Sequence, residues 1–160
     1  MTSTAAWSAL LRVHAALVPE LDAELQAAHN LPLTWYDVLL ELNATPDRQL
    51  TMSQLGAVAV VSRTRVSRVV DELVSAGLVE RVANPADRRS SFARITAAGR
   101  ARLRAAAPTY LAGIDRIFTS HLTEREAATV AAALEKVLRV RQAGALIPTI
   151  APRSQAHPNG

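Results

Sequence analysis

Cysteine is absent from the 160 residues. That excludes disulfides, thiolate metal sites and thiol-based redox sensing, and it leaves the compartment open. Lysine is almost absent too, Lys136 standing alone among eighteen basic residues, so arginine carries nearly every cation. Aromatic side chains are few, two each of Trp, Tyr and Phe. There is no run of about eighteen apolar residues and no basic-then-apolar leader, so neither a membrane span nor a secretory signal is expected, and the cytoplasm is the expected location. A Gly-rich phosphate loop, a metal-spaced cluster and a nucleophile elbow are all missing, so the sequence does not read as an enzyme and implies no cofactor or metal. His14 and His29 have no second histidine at ligand spacing, and a satisfied or exposed imidazole is the expectation for both.

What is present is a segregated charge. The chain carries a net +4, but from Arg48 to Arg104 eleven arginines face only Asp71, Glu72, Glu80 and Asp87, a local +7, while the remainder is −3. A basic middle flanked by acidic, Ala- and Leu-rich segments fits a polyanion-binding module on a helical scaffold; a merely solvated basic face is the plain alternative.

The apolar periodicity defines the scaffold. Leu10, Val13, Leu17, Leu21 and Leu25 recur at three- and four-residue steps, predicting an amphipathic helix from about Ala5 to Ala28 with a bend or break near Val18, ahead of Pro19. Leu31-Pro32-Leu33 reads as a connector, and Thr34 as the cap of a helix carrying Trp35, Val38, Leu39 and Leu42. Thr51 caps a short helix, and Ser62 a second one that stops at Gly77, with a tight Val60-Val61 turn between them. The period then changes. Leu78–Val82 and Phe92–Ile95 alternate as strands around a polar connection, residues 84–91, forming a hairpin with a basic tip. Thr96 and Gly99 open a long helical stretch expected to break near Pro108, and Thr123 to Glu126 fits a capping box for the last helix. The fold class is therefore mainly α with a small β-hairpin wing, a winged helix-turn-helix with flanking helices.

On the helix after Ser62, Val66, Val69, Val70 and Leu73 occupy positions i, i+3, i+4 and i+7 and commit one face to the core. The other face holds Thr64, Arg65 and Arg68 in its first turns, with Asp71 and Glu72 beyond. Cations at the positive end of the helix dipole are locally unfavourable. A phosphate or a base edge at that terminus resolves the conflict, because backbone amides, hydroxyls and guanidinium groups then converge on one anion. Ser62, Arg63, Thr64, Arg65, Ser67 and Arg68 are the candidate DNA contacts. Arg65 and Arg68 suit guanine in the major groove, while Ser62, Thr64 and Ser67 suit phosphates. Arg88 and Arg89 at the hairpin tip would lie over the adjacent minor groove. Asp87 is expected either to orient them or to bond backbone amides within the turn.

The runs Ser62-Arg63-Thr64-Arg65-Val66-Ser67-Arg68-Val69-Val70-Asp71-Glu72-Leu73, Gly77-Leu78-Val79-Glu80-Arg81, Asp87-Arg88-Arg89 and Ile95-Thr96-Ala97-Ala98-Gly99-Arg100, in this order and spacing, resemble the multiple-antibiotic-resistance regulator (MarR) family. The resemblance covers about Leu33 to Arg104. It implies a homodimer whose terminal helices intertwine and whose two winged lobes bind a pseudo-palindromic site on double-stranded DNA. It implies repression, with release by a small aromatic effector. By position, Arg89 matches the family's wing-tip arginine, Asp87 the acid that steadies it, and the helix from Arg63 the recognition helix. Gly56 departs from the usual alanine, at a helix-propensity cost of about 1 kcal/mol. Trp35-Tyr36-Asp37 departs near the implied effector crevice, so the ligand's identity does not transfer.

For an aromatic effector, Trp7, His14, Trp35, Tyr36 and Tyr110 are the candidate wall, against the simpler reading that they fill the core. The expected organisation is 1–32 as an N-terminal dimerisation helix and connector, 33–104 as the DNA-binding region, 105–142 as C-terminal dimerisation helices and 143–160 as a disordered tail. A winged interaction module for a protein partner is the rival reading. Salt-dependent DNA binding separates the two.

Overall fold

The computed structural model describes residues 2–146, with side chains for 4–142. The chain divides after Phe118 into two units. The first runs through α1 (Thr2–His29), α2 (Leu33–Asn43), β1 (Gln49–Thr51), α3 (Met52–Val58), α4 (Arg63–Ser75), β2 (Val79–Ala83), β3 (Ser91–Ile95) and α5 (Ala97–Ile117). The second contains a 3₁₀ turn at Thr119–His121 and α6 (Glu124–Leu146).

The apolar stripes assemble the first unit. Val66, Val69, Val70 and Leu73 of α4 meet Val38, Leu39 and Leu42 of α2, Val79, Ala93 and Ile95 of the sheet, and Leu103 and Ala106 of α5, and α1 joins this cluster through Leu25. Burying each Val or Leu is worth about 1.5–3 kcal/mol, whereas an exposed ion pair contributes about 0–1 kcal/mol. The orientation of α4 is therefore set by its apolar face, and its arginines are free to serve another purpose.

Local chemistry fixes the joints. Thr51 and Gln54 form a reciprocal capping box at the start of α3, satisfying two otherwise unpaired amides. At the end of α4, Gly77 takes φ +75°, and the amides of Gly77 and Leu78 return to the carbonyls of Val74 and Leu73, both at 3.0 Å. This is a complete Schellman motif, and glycine is the residue that reaches its left-handed position without strain. Thr96 caps α5 through the Gly99 amide at 3.0 Å and donates its hydroxyl proton to the Gly77 carbonyl at 2.8 Å. One threonine thus ties α5 to the end of α4.

Several expectations require correction. α1 and α5 run unbroken through Pro19 and Pro108. Each proline is exposed, as is the residue four positions before it, Ala15 or Arg104. The carbonyl freed by the missing donor therefore sits on the solvent side, where the loss is tolerated. Thr34 does not cap α2. The helix begins at Leu33, whose amide donates to Asp22 Oδ1 of α1 at 2.8 Å. Ser62 occupies the cap position of α4 but makes no capping bond; its hydroxyl lies 3.2 Å from Thr64 Oγ1. A third strand, β1, pairs antiparallel with β3, giving the order β1-β3-β2. The expected boundary at 104 falls inside α5. Residues 143–146, expected in the tail, continue α6, and the rest of that tail lies outside the described residues.

The expected stripe of α1 is used unevenly. Leu21 and Leu25 are buried, whereas Trp7, Leu10, Leu11 and Val13 are exposed. In the second unit, α6 leaves Val130, Leu134, Val137, Leu138 and Val140 exposed. Among the described residues no helix is long and apolar enough to cross a membrane.

Candidate nucleic-acid interface

The core contacts of α4 turn Ser62, Arg63, Thr64, Arg65, Ser67 and Arg68 outward, and all six are exposed. Because Ser62 makes no capping bond, the amides of Arg63 and Thr64 are left available to an incoming anion, whereas that of Arg65 returns to the Ser62 carbonyl at 2.9 Å. Arg68 Nε lies 3.4 Å from Glu72, with the arginine side chain 84% exposed. Such a pair is weak enough for Arg68 to exchange it for a base or phosphate.

The acids that follow on α4 are engaged within the protein. Asp71 accepts from Arg81 of β2 at 2.5 Å, joining α4 to the wing. Glu72 accepts the indole N–H of Trp35 at 2.9 Å, joining it to α2. Asp71 is thereby paired with Arg81, and Glu72 is shared between Trp35 and Arg68, which lessens their opposition to a polyanion.

The wing is held by its own polar groups. Asn84 accepts from the Ala86 amide at 3.1 Å and donates to Ser90 Oγ at 2.9 Å. Asp87 Oδ1 accepts the backbone N–H of Arg89 at 2.9 Å. Of the two roles open to Asp87, the structure shows the backbone one: it shapes the turn and forms no ion pair with either arginine side chain. Arg88 and Arg89 are both exposed. Between the wing and the start of α3 is a recess of about 620 Å³, whose walls include Thr51, Ser53, Arg81 and Arg89.

A larger cavity, about 790 Å³, lies among α1, α2, α5 and the turn before α4. Of the five aromatic and histidine candidates, only His14 and Tyr110 line it. Tyr36 is 3% exposed and supports Tyr110 from behind, with ring centroids 4.7 Å apart. Trp35 is spent on Glu72, and Trp7 is 61% exposed on α1. Those three are therefore not wall residues, because the helical phase of α1 and α2 points them elsewhere.

Sequence reasoning missed Asp22 and Gln26 in this wall; Asp37 entered it only as part of the departure Trp35-Tyr36-Asp37 near the implied crevice, and Arg65 only as a DNA contact. Asp37 Oδ2 accepts the Val60 amide at 2.7 Å. Burial holds its carboxyl above the usual range, only partly offset by that hydrogen bond. Burial first, and then the charge of Asp37, raise both Tyr110 and Glu41. The available signal was an acid embedded in the apolar run Trp35-Tyr36-Asp37-Val38-Leu39-Leu40, where a carboxylate needs a reason to stay.

Residues 29–90 match the model of the MarR family. No curated protein sequence matches the chain. Among solved structures, it is similar to Sco3205 of Streptomyces coelicolor, a MarR family transcriptional regulator in complex with DNA, at 29% identity over 93% of this chain and 91% of that one, with a TM-score of 0.75. It is similar to Sco5413, a MarR family transcriptional regulator of the same organism, at 30% identity over 91% and 98%, with a TM-score of 0.73. A third, AbsC, also a MarR family transcriptional regulator of Streptomyces coelicolor, is 27% identical over 89% and 95%, with a TM-score of 0.78.

Proposed function

This chain belongs to the MarR family of DNA-binding transcriptional regulators, and from that premise we propose that it is a cytoplasmic repressor that binds a pseudo-palindromic operator as a homodimer and leaves it when a small aromatic molecule enters the larger cavity. The observation that carries the DNA-binding part is the pairing pattern of the charges. The cationic first turns of α4 are exposed, while the acids behind them are held by Arg81 and Trp35. Two such helices, one per subunit and about 34 Å apart, suit successive major grooves of one face of duplex DNA.

In this reading Arg65 and Arg68 read base edges, Ser62, Arg63, Thr64 and Ser67 hold phosphates, and Arg88 and Arg89 follow the minor groove with the tip shaped by Asp87. Dimerisation is supported by the apolar side chains left open on α1 and, separately, on α6. Patches of that kind are normally covered by a partner. Repression follows from occlusion of a promoter by the bound dimer. An effector acts by favouring a conformation that fits the operator poorly, and it shifts the equilibrium only by its difference in affinity for the two states.

The test is selection of random duplexes by the purified protein at near-physiological salt, followed by titration of the selected site. An inverted repeat with half-sites about one helical turn apart supports the dimeric operator. On that site Arg65→Ala should cost about 1–3 kcal/mol and relax one base position, while Arg89→Ala should weaken most sequences alike and flatten the salt dependence. Unchanged affinity in both variants would sink the docking. No retention at low salt would favour a protein partner.

A further inference from the structure

The larger cavity has an unusual charge balance. Asp37 Oδ2 is bonded to the Val60 amide at 2.7 Å, and among the described residues Oδ1 has no hydrogen-bond partner and no cation lies within ion-pair distance of the carboxylate. Asp22 belongs to the same wall. Its two oxygens accept from the Leu33 amide at 2.8 Å and the Gln26 amide at 2.6 Å, both neutral donors. Two carboxylates, neither in an ion pair among the described residues, therefore face one space that holds a single guanidinium, that of Arg65, and the imidazole of His14. Burial disfavours the charged form of Asp37, the state that a nearby cation would relieve. The surrounding wall is apolar, with Val18, Pro19, Leu33 and Val61.

Asp37 also sits where a ligand can be felt by the DNA-binding element. Its bond to Val60 is the hydrogen bond that holds the backbone of the turn between α3 and α4; no other engages the backbone of Val60 or Val61 among the described residues. The Val60 side chain is 79% exposed, so besides this bond the turn is held by the Val61 side chain, 8% exposed in the core. The recognition helix starts three residues later.

We propose that this cavity takes a ligand with a cationic nitrogen on an apolar body, that the nitrogen meets Asp37, and that drawing the carboxylate from the Val60 amide loosens the turn ahead of α4. The proposal rests on the effector reading above and specifies its chemistry: an organic anion of the same shape is repelled by Asp37 and Asp22.

The full chain is titrated calorimetrically with phenethylamine and with hydrocinnamate, an anion of similar shape. The expected result is binding of the amine on the order of tenfold tighter than the anion, equivalent to about 1.4 kcal/mol. That preference is lost in Asp37→Asn, whose amide oxygen still accepts from Val60, and is reduced in Asp22→Asn. The comparison within the unmodified protein needs no variant, so a variant that misfolds leaves it intact. Equal or tighter binding of hydrocinnamate overturns the proposal and assigns the cavity to an anion held by Arg65. Binding of neither probe, or a preference that survives Asp37→Asn, overturns it as well. Adding phenethylamine to the complex with the selected duplex should release the DNA, and binding without release overturns the coupling to the turn. Failure of the protein to bind any duplex overturns the regulatory reading instead, and the calorimetric comparison still decides the ligand.

Discussion

Gly99 offers a sharp test of how the wing is held. A Cβ at this position would lie 2.2 Å from the Leu78 carbonyl oxygen and 2.7 Å from Ile95 Cγ1. The nearer atom is backbone and cannot rotate away, so Gly99→Ala requires α5 to retreat from the junction of α4 and β2 by roughly 1 Å, to restore ordinary contact. The same carbonyl accepts the Thr96 amide at 3.0 Å, and Thr96 Oγ1 reaches the Gly77 carbonyl at 2.8 Å, so the retreat strains two further hydrogen bonds. Overpacking of this kind costs about 1–3 kcal/mol, and each weakened hydrogen bond about 0.5–1.5 kcal/mol. The gain in helix propensity returns about 1 kcal/mol. The balance is a loss of about 1–5 kcal/mol, which for a chain of this size lowers Tm by about 2–20 °C. Thermal unfolding followed by circular dichroism at fixed protein concentration measures it. A Tm within about 2 °C of the parent would refute the argument that the Leu78 carbonyl fixes the approach of α5. Gly56→Ala is the control: the added Cβ meets Arg63 Cγ at 3.3 Å, a side chain that can move, so the propensity gain of up to about 1 kcal/mol should leave Tm unchanged or higher.

Two further outcomes follow from the contacts of α2. Burial raises the Asp37 carboxyl above its ordinary value of 3.8, so the folded chain keeps that proton to higher pH than the unfolded one, and stability falls as pH rises between the two values. Asp37→Asn removes this penalty, so its Tm advantage over the parent should be largest at neutral pH and shrink as pH drops toward 3.8; an advantage independent of pH refutes the assignment. Trp35→Phe removes the indole donor to Glu72 and with it the fixed position of the carboxylate beside Arg68. A loss of about 1 kcal/mol in operator affinity is expected. It should disappear in an Arg68→Ala background, measured by fluorescence anisotropy as a double-mutant cycle; an equal loss in both backgrounds would show that Trp35 does not act through Arg68.

Much of this was legible from local pattern. The apolar positions of α4, the Thr51 and Thr123 caps, the Gly77 stop and the hairpin are each written within a few residues of one another, and the local rules agree with the fold. The exposure of the candidate DNA-binding arginines followed from the same period, since Val66, Val69, Val70 and Leu73 face the core. β1 was not legible because three residues are too few to show an alternation. Nor was the fate of Pro19 and Pro108, since a proline is tolerated or not according to which side of the helix faces solvent.

The sequence by itself determined the helical phases, the segregation of positive charge to the middle of the chain, and the family. Those depend on neighbours one to four residues apart and on composition. The tertiary structure decided which groups meet across long separations: Asp22 serving the start of α2, Trp35 turned to Glu72 instead of the cavity, and Asp37 holding the turn at Val60. A side chain's partner there depends on the relative placement of whole helices, which is fixed by packing of their apolar faces and is not encoded in the spacing around any one residue.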